Sequence, residues 1–114
     1  MFGNKSHRER HPQEVSQDLK AGKIVLVDVR EDAEHAAERI EGALLHPLSR
    51  FDPAKLPVTA DKPVVLHCGS AKRSATAIDM CRKAGVPVDT HMAGGIMGWK
   101  AAGLPTVSGP VKAR

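Results

Sequence analysis

Residues 64–84 read VVLHCGSAKRSATAIDMCRKA, and the fold turns on how this stretch divides. Val64-Val65-Leu66 is an unbroken apolar run, the pattern of a strand covered on both faces in a parallel sheet. Gly69 and the small Ser70 and Ala71 let the chain turn tightly after Cys68. From about Arg73 onward, Ser74, Ala77, Ile78, Cys81 and Ala84 fall on one stripe at helical spacing. A strand, a tight loop and a helix start therefore follow in order, with Cys68 at the carboxyl end of the strand.

The same logic extends in both directions. Ile24-Val25-Leu26-Val27 is a second apolar run, bounded by Gly22-Lys23 and Asp28. Before it, Pro12 to Ala21 carries Val15 and Leu19 four residues apart and reads as a short amphipathic helix stopped by Gly22. Glu31 to Arg39, rich in Ala and Glu, reads as another helix, followed by the apolar stretch Ala43-Leu44-Leu45. The four prolines between Pro47 and Pro63 predict loop with at most one helical turn. Val88 to Met92 is a last strand, and Ala93-Gly94-Gly95 turns into a short helix through Trp99. Strands alternating with helices imply an α/β domain whose ligand site lies outside the carboxyl ends of its strands.

With 114 residues the chain suits one domain, expected at 12–107 between a flexible N-terminal segment, 1–11, and a flexible tail, 108–114. Only Phe2, Phe51 and Trp99 are aromatic, so the core rests on aliphatic residues and base-stacking platforms are nearly absent. The formal charge of +4 gathers partly at the ends, which suits a small anionic substrate and gives nucleic-acid binding no support. No apolar run approaches the roughly 20 residues of a membrane span, and the start MFGNKSHRERHP lacks a secretory core. A cytoplasmic location without membrane contact is expected, and two cysteines, Cys68 and Cys81, fit a reducing compartment.

A loop entering a helix points backbone N–H groups into a concavity, and the helix start adds partial positive charge. With Lys72 and Arg73 nearby, such a cradle favours thiolate over thiol, which makes Cys68 a candidate nucleophile. The bland alternative is a buried core cysteine, but a core cysteine has no need of flanking Gly, Lys and Arg. Cys81 takes the bland reading: it lies on the apolar stripe, about 12 Å down the helix axis from Arg73.

His67 adjoins Cys68, yet neighbouring strand residues face opposite ways, so no Cys-His couple is expected. The six histidines are scattered without metal-ligand spacing, and no metal is expected. Gly94-Gly95 reads as turn punctuation and Trp99 as core. Asp28 and Arg30, after the second apolar run, form a structural ion pair or line the pocket. A supporting role is favoured, with Arg30 adding positive potential for an anion.

Together these residues resemble the rhodanese family. Asp28-Val29-Arg30-Glu31 is similar to its first signature and His35 through Ala43 (HAAERIEGA) to its helix-to-strand segment. Cys68-Gly69-Ser70-Ala71-Lys72-Arg73-Ser74 is similar to its active-site loop, and GGIMGWKAAGLP, 94–105, to its closing motif. The likeness covers about residues 12–107, and four motifs in order are a stronger signal than any one. It implies a central five-stranded parallel sheet flanked by helices on both faces.

The resemblance also implies ping-pong sulfur transfer without a cofactor. Cys68 would take sulfur from thiosulfate or a persulfide, hold it as a persulfide cradled by loop amides, and pass it to cyanide, another thiol or a protein acceptor. Arg73 would brace the loop, and Lys72 with Arg30 would favour the anionic donor. The loop departs from the family pattern at Ala71, where Gly is common, and at Gly69, where a larger or charged residue is common. One rival is a phosphatase or arsenate reductase, whose loops have five residues between Cys and Arg; four separate Cys68 from Arg73. The other is a binding or regulatory module that keeps the fold without turnover, against which Cys68 and Arg73 in a compatible loop argue.

Overall fold

The computed structural model describes residues 7–110. Five strands form one sheet in which every pairing is parallel: β1 (Arg8–Arg10), β2 (Val25–Asp28), β3 (Leu44–Leu45), β4 (Val64–His67) and β5 (Thr90–Met92), in the spatial order β1-β5-β4-β2-β3. Three helices lie between strands, α1 (Pro12–Lys20), α2 (Asp32–Ala37) and α3 (Lys72–Lys83), and a fourth, α4 (Gly95–Ala101), follows the last strand. The stretch expected to be loop with one helical turn holds two 3₁₀ turns, Leu48–Arg50 and Pro53–Lys55. Among the described residues, no helix is long and apolar enough to cross a membrane.

The two apolar runs sit at the sheet centre because a strand covered on both faces needs apolar side chains in both directions. Val27, Val64 and Leu66 face one side, where Ala77, Ile78 and Cys81 of α3 meet Phe51 and Leu56 of the turns. Leu26 and Val65 face the other side, packed with Val15 of α1 and with Ile96 and Trp99 of α4. The predicted α3 stripe is buried at Ser74, Ala77, Ile78 and Cys81, while Ala84 is the exposed C-cap.

The domain limits change. A start at residue 12, after a flexible segment, gives way to strand β1 at 8–10, which pairs Arg8, Glu9 and Arg10 with Thr90, His91 and Met92. Its charged side chains suit an edge strand, where charge discourages pairing with another chain. At the other end the Arg39 guanidinium donates to the carbonyls of Gly109 and Pro110, so packing continues past residue 107. Residues 1–6 and 111–114 of the expected flexible ends lie outside the described residues.

Register brings Asp28 level with His67, so the ends of β2 and β4 emerge side by side. His67 is fully buried, and its Nε2 has no hydrogen-bond partner and lies 3.7 Å from Asp28 Oδ2. Burial pushes the His67 pKa below 6.5, against the opposing pull of Asp28; burial likewise lowers that of His91, against Glu9. The unfolded chain binds protons at both positions below pH 6.5 while the folded chain resists them. Stability is therefore intact above pH 6.5 and is lost as pH falls below it, by up to about 1.4 kcal/mol per pH unit for each histidine. Urea unfolding at pH 7.5, 6.5 and 5.5 is expected to show a small first step and a larger second one.

Candidate active site

Cys68 follows the last residue of β4, and its side chain is 1% exposed. Its sulfur is nevertheless not surrounded by apolar groups alone. The Ala71 amide donates to Sγ at 3.1 Å and the Ser74 amide at 3.3 Å. Ser74 Oγ stands 3.5 Å away on the first turn of α3. Burial raises the thiol pKa, but the Ser74 hydroxyl and the amides of Ser74, Ala71 and Ser70 outweigh it, leaving Cys68 below the ordinary value of 9.0. Hydrogen bonds to the charged form select the thiolate.

Cys81 shows what burial does without such donors. It is 0% exposed and its thiol is pushed up to about 11 by desolvation. The two free cysteines therefore divide into one poised sulfur and one inert one.

The loop achieves its convergence at a conformational cost. Ala71 sits at φ 94°, ψ −9°, the left-handed region where a Cβ is strained, and it is the one non-glycine residue there among those described. This is the position at which Gly is common in the resembling family. Ala71→Gly is expected to stabilise the domain by about 1 kcal/mol, since relief of roughly 1–2 kcal/mol exceeds the added freedom of the unfolded chain. The rise in melting temperature would be a few degrees, and an unchanged or lowered value would show that the strain is absent.

Arg73 closes the loop over Gly69. A Cβ on Gly69 would lie 3.0 Å from the Arg73 guanidinium, so the absence of a side chain leaves room for that group. The guanidinium is held in a two-bond pair by Glu34 of α2, Nη1 to Oε1 at 2.6 Å and Nη2 to Oε2 at 3.0 Å. Its Arg73 hydrogen bonds hold the Glu34 carboxyl down at about 2. Lys72, the first residue of α3, is exposed beside the loop, and Ser70 is exposed at its tip.

Behind the loop, the chain at α4 presses directly on it. Ile96 and Met97 donate their amides to the Cys68 and Gly69 carbonyls at 2.8 and 3.2 Å. Gly95, at φ +61°, approaches so closely that a Cβ there would meet the Cys68 carbonyl oxygen and come within 2.6 Å of the Gly69 backbone. The Gly94-Gly95 pair is thus more than turn punctuation.

Arg30 does not line the site. Its side chain is 5% exposed and grips Asp28 through Nε and Nη2, the shortest contact being 2.8 Å. It also donates to the carbonyls of Glu34 and Glu38 at the end of α2. Of the two readings open for Arg30, the geometry has the structural ion pair, and a guanidinium facing a buried carboxylate has its charge neutralised there, so it adds little positive potential for an anion. Asp28 and Arg30 support the site only by fixing α2, which in turn presents Glu34. His67 faces Asp28 and makes no contact with the sulfur.

A model of the rhodanese-like domain matches residues 11–102. The chain belongs to that family. Over 96 residues it is 44% identical to the uncharacterized protein slr1261 of a Synechocystis species, covering 84% of this chain and 54% of that protein, so it spans about half the length of that relative. It is 33% identical to a sulfurtransferase of Allochromatium vinosum over 85 residues, which is 75% of this chain and 79% of the relative. The crystal structure of a thiosulfate sulfurtransferase from Pseudomonas aeruginosa superposes with a TM-score of 0.74 at 26% identity, over 96% of this chain and 21% of that chain. The rhodanese fold, with its parallel five-stranded sheet flanked by helices, is therefore established on both architecture and kinship.

Proposed function

We propose that this rhodanese-like domain is a sulfurtransferase that carries one sulfane sulfur on Cys68. The observation that carries the reading is the convergence of two backbone amides, of Ala71 and Ser74, and the Ser74 hydroxyl on one sulfur at the loop between Cys68 and Arg73. The Cys68 thiolate attacks the outer sulfur of thiosulfate; a Cys–S–S⁻ bond forms, the S–S bond of thiosulfate breaks, and sulfite departs with the electron pair. Cyanide or a thiolate then attacks the outer sulfur, giving thiocyanate or a new persulfide and returning the Cys68 thiolate. A persulfide donor loads the site by the same displacement, with a thiolate leaving. Loop amides favour the anion at each stage because their dipoles are fixed before reaction.

Lys72 supplies positive charge at the mouth for an anionic donor, while Arg73, paired with Glu34, braces the loop. Two unpaired thiols suit a reducing compartment, in line with a cytoplasmic site of action.

Intact-mass measurement after thiosulfate or persulfide treatment tests the reading. The wild type is expected to gain one sulfur atom and to lose it to cyanide as thiocyanate. Cys68→Ser should gain none, and Cys81→Ser should behave as wild type. If the wild type takes no sulfur from either donor, the assignment fails.

A further inference from the structure

A second line of polar groups leads away from Cys68 through Ser74. Ser74 Oγ lies 2.6 Å from His91 Nδ1 on β5, and both side chains are buried. His91 Nε2 lies 3.7 Å from a carboxylate oxygen of Glu9, its register partner on β1, and Glu9 is 57% exposed. The hydrogen-bonded contacts run from the buried sulfur to His91, and a gap of 3.7 Å, longer than a direct hydrogen bond, separates its Nε2 from the exposed Glu9 carboxylate at the sheet edge. Around His91, the ring of His7 stands 6.0 Å away, and His7 in turn meets Asp79 of α3 at 2.9 Å.

We propose that Ser74 and His91 form a proton path from the Cys68 thiol to the sheet edge at Glu9, with His91 a positioning residue that sets the direction of the Ser74 hydroxyl. The hydroxyl has one proton and three neighbours: Cys68 Sγ, His91 Nδ1 and the Ala71 carbonyl at 3.2 Å. With a proton on Nε2 only, Nδ1 accepts from Ser74, and Ser74 accepts from the thiol S–H. When the thiolate forms, the S–H proton passes to Ser74 Oγ and the former hydroxyl proton to Nδ1, while the Nε2 proton is taken up by solvent water on the Glu9 side of the ring. The products are a thiolate, an intact hydroxyl, a neutral histidine of the other tautomer and one released proton. Ser74 is then free to donate to the thiolate, a charge-assisted bond that outcompetes the neutral Ala71 carbonyl. Both states keep the buried imidazole neutral, in accord with the cost of charging it there.

The proposal rests on Cys68 as the reactive sulfur but not on sulfur transfer itself, so it is tested without a sulfur donor. The rate of Cys68 alkylation by iodoacetamide is followed against pH, with peptide mass mapping to separate Cys81. His91→Phe, which keeps ring volume, and Ser74→Ala are each expected to slow alkylation about tenfold at pH 7 by moving the profile upward, and the double variant no further. A wild-type profile in His91→Phe, or effects that add in the double variant, would overturn the path. Nitrogen NMR on the unaltered fold gives an independent reading. As pH rises through Cys68 ionisation, the His91 proton should move from Nε2 to Nδ1, and it should stay on Nε2 in Cys68→Ser. A tautomer that ignores Cys68 sinks the proposal even if the variants misfold.

Discussion

Gly95→Ala is expected to abolish sulfur loading and to cost the domain about 3 kcal/mol, a fall of roughly 15 °C in melting temperature. Two effects add. An alanine at φ +61° carries the left-handed penalty of about 1–2 kcal/mol. Its Cβ would also press on the Cys68 carbonyl and the Gly69 backbone, neither of which is the far end of a flexible side chain. Relief requires the loop and α4 to part, which breaks the Ile96 and Met97 amide bonds to those same carbonyls. The amides of Ala71 and Ser74 would then no longer converge on one sulfur. Thermal denaturation measures the first effect and pH-dependent alkylation of Cys68 the second. A variant that melts within 3 °C of wild type and alkylates normally would mean that the close approach is not real.

That contact also marks where sequence stops being informative. The central strands β2 and β4, the helix α3 and the position of Cys68 are legible because their signals are local: apolar runs, a helical stripe, and small residues between them. Strand β1 carries no such signal. Arg-Glu-Arg pairs with β5 through its backbone and carries only charged side chains, so neither periodicity nor composition marks it. The same limit hides the site's supporting residues. Glu34 reaches Arg73 across 39 residues and His91 reaches Ser74 across 17, and in sequence each is an ordinary polar residue of a helix or strand. Gly95 is visible as a glycine, but only the packing of α4 against the loop shows what a side chain there would strike.

Arg30 is the residue for which two readings stayed open in the sequence. A basic residue after a central strand invites a role toward an anionic substrate, and charge alone cannot say which way the side chain turns. Asp28, two residues earlier and fully buried, decides the matter, since its carboxylate in the interior requires a partner.

Arg30→Met is therefore expected to destabilise the domain by about 3–5 kcal/mol, the usual result of leaving one member of a buried pair without its counterion. Methionine fills much of the same volume, so the loss comes from the carboxylate and from the Glu34 and Glu38 carbonyls that the guanidinium satisfied. Asp28→Asn combined with Arg30→Met removes the stranded charge and should recover a large part of that loss. Urea unfolding of the two variants at pH 7.5 separates this account from a pocket role. A structural pair predicts a double variant more stable than Arg30→Met, with sulfur loading retained by whatever fraction is folded. A pocket role predicts the reverse pattern: near-normal stability for Arg30→Met, a raised KM for thiosulfate, and no rescue by Asp28→Asn, because the neutralised partner would not restore an anion-binding charge.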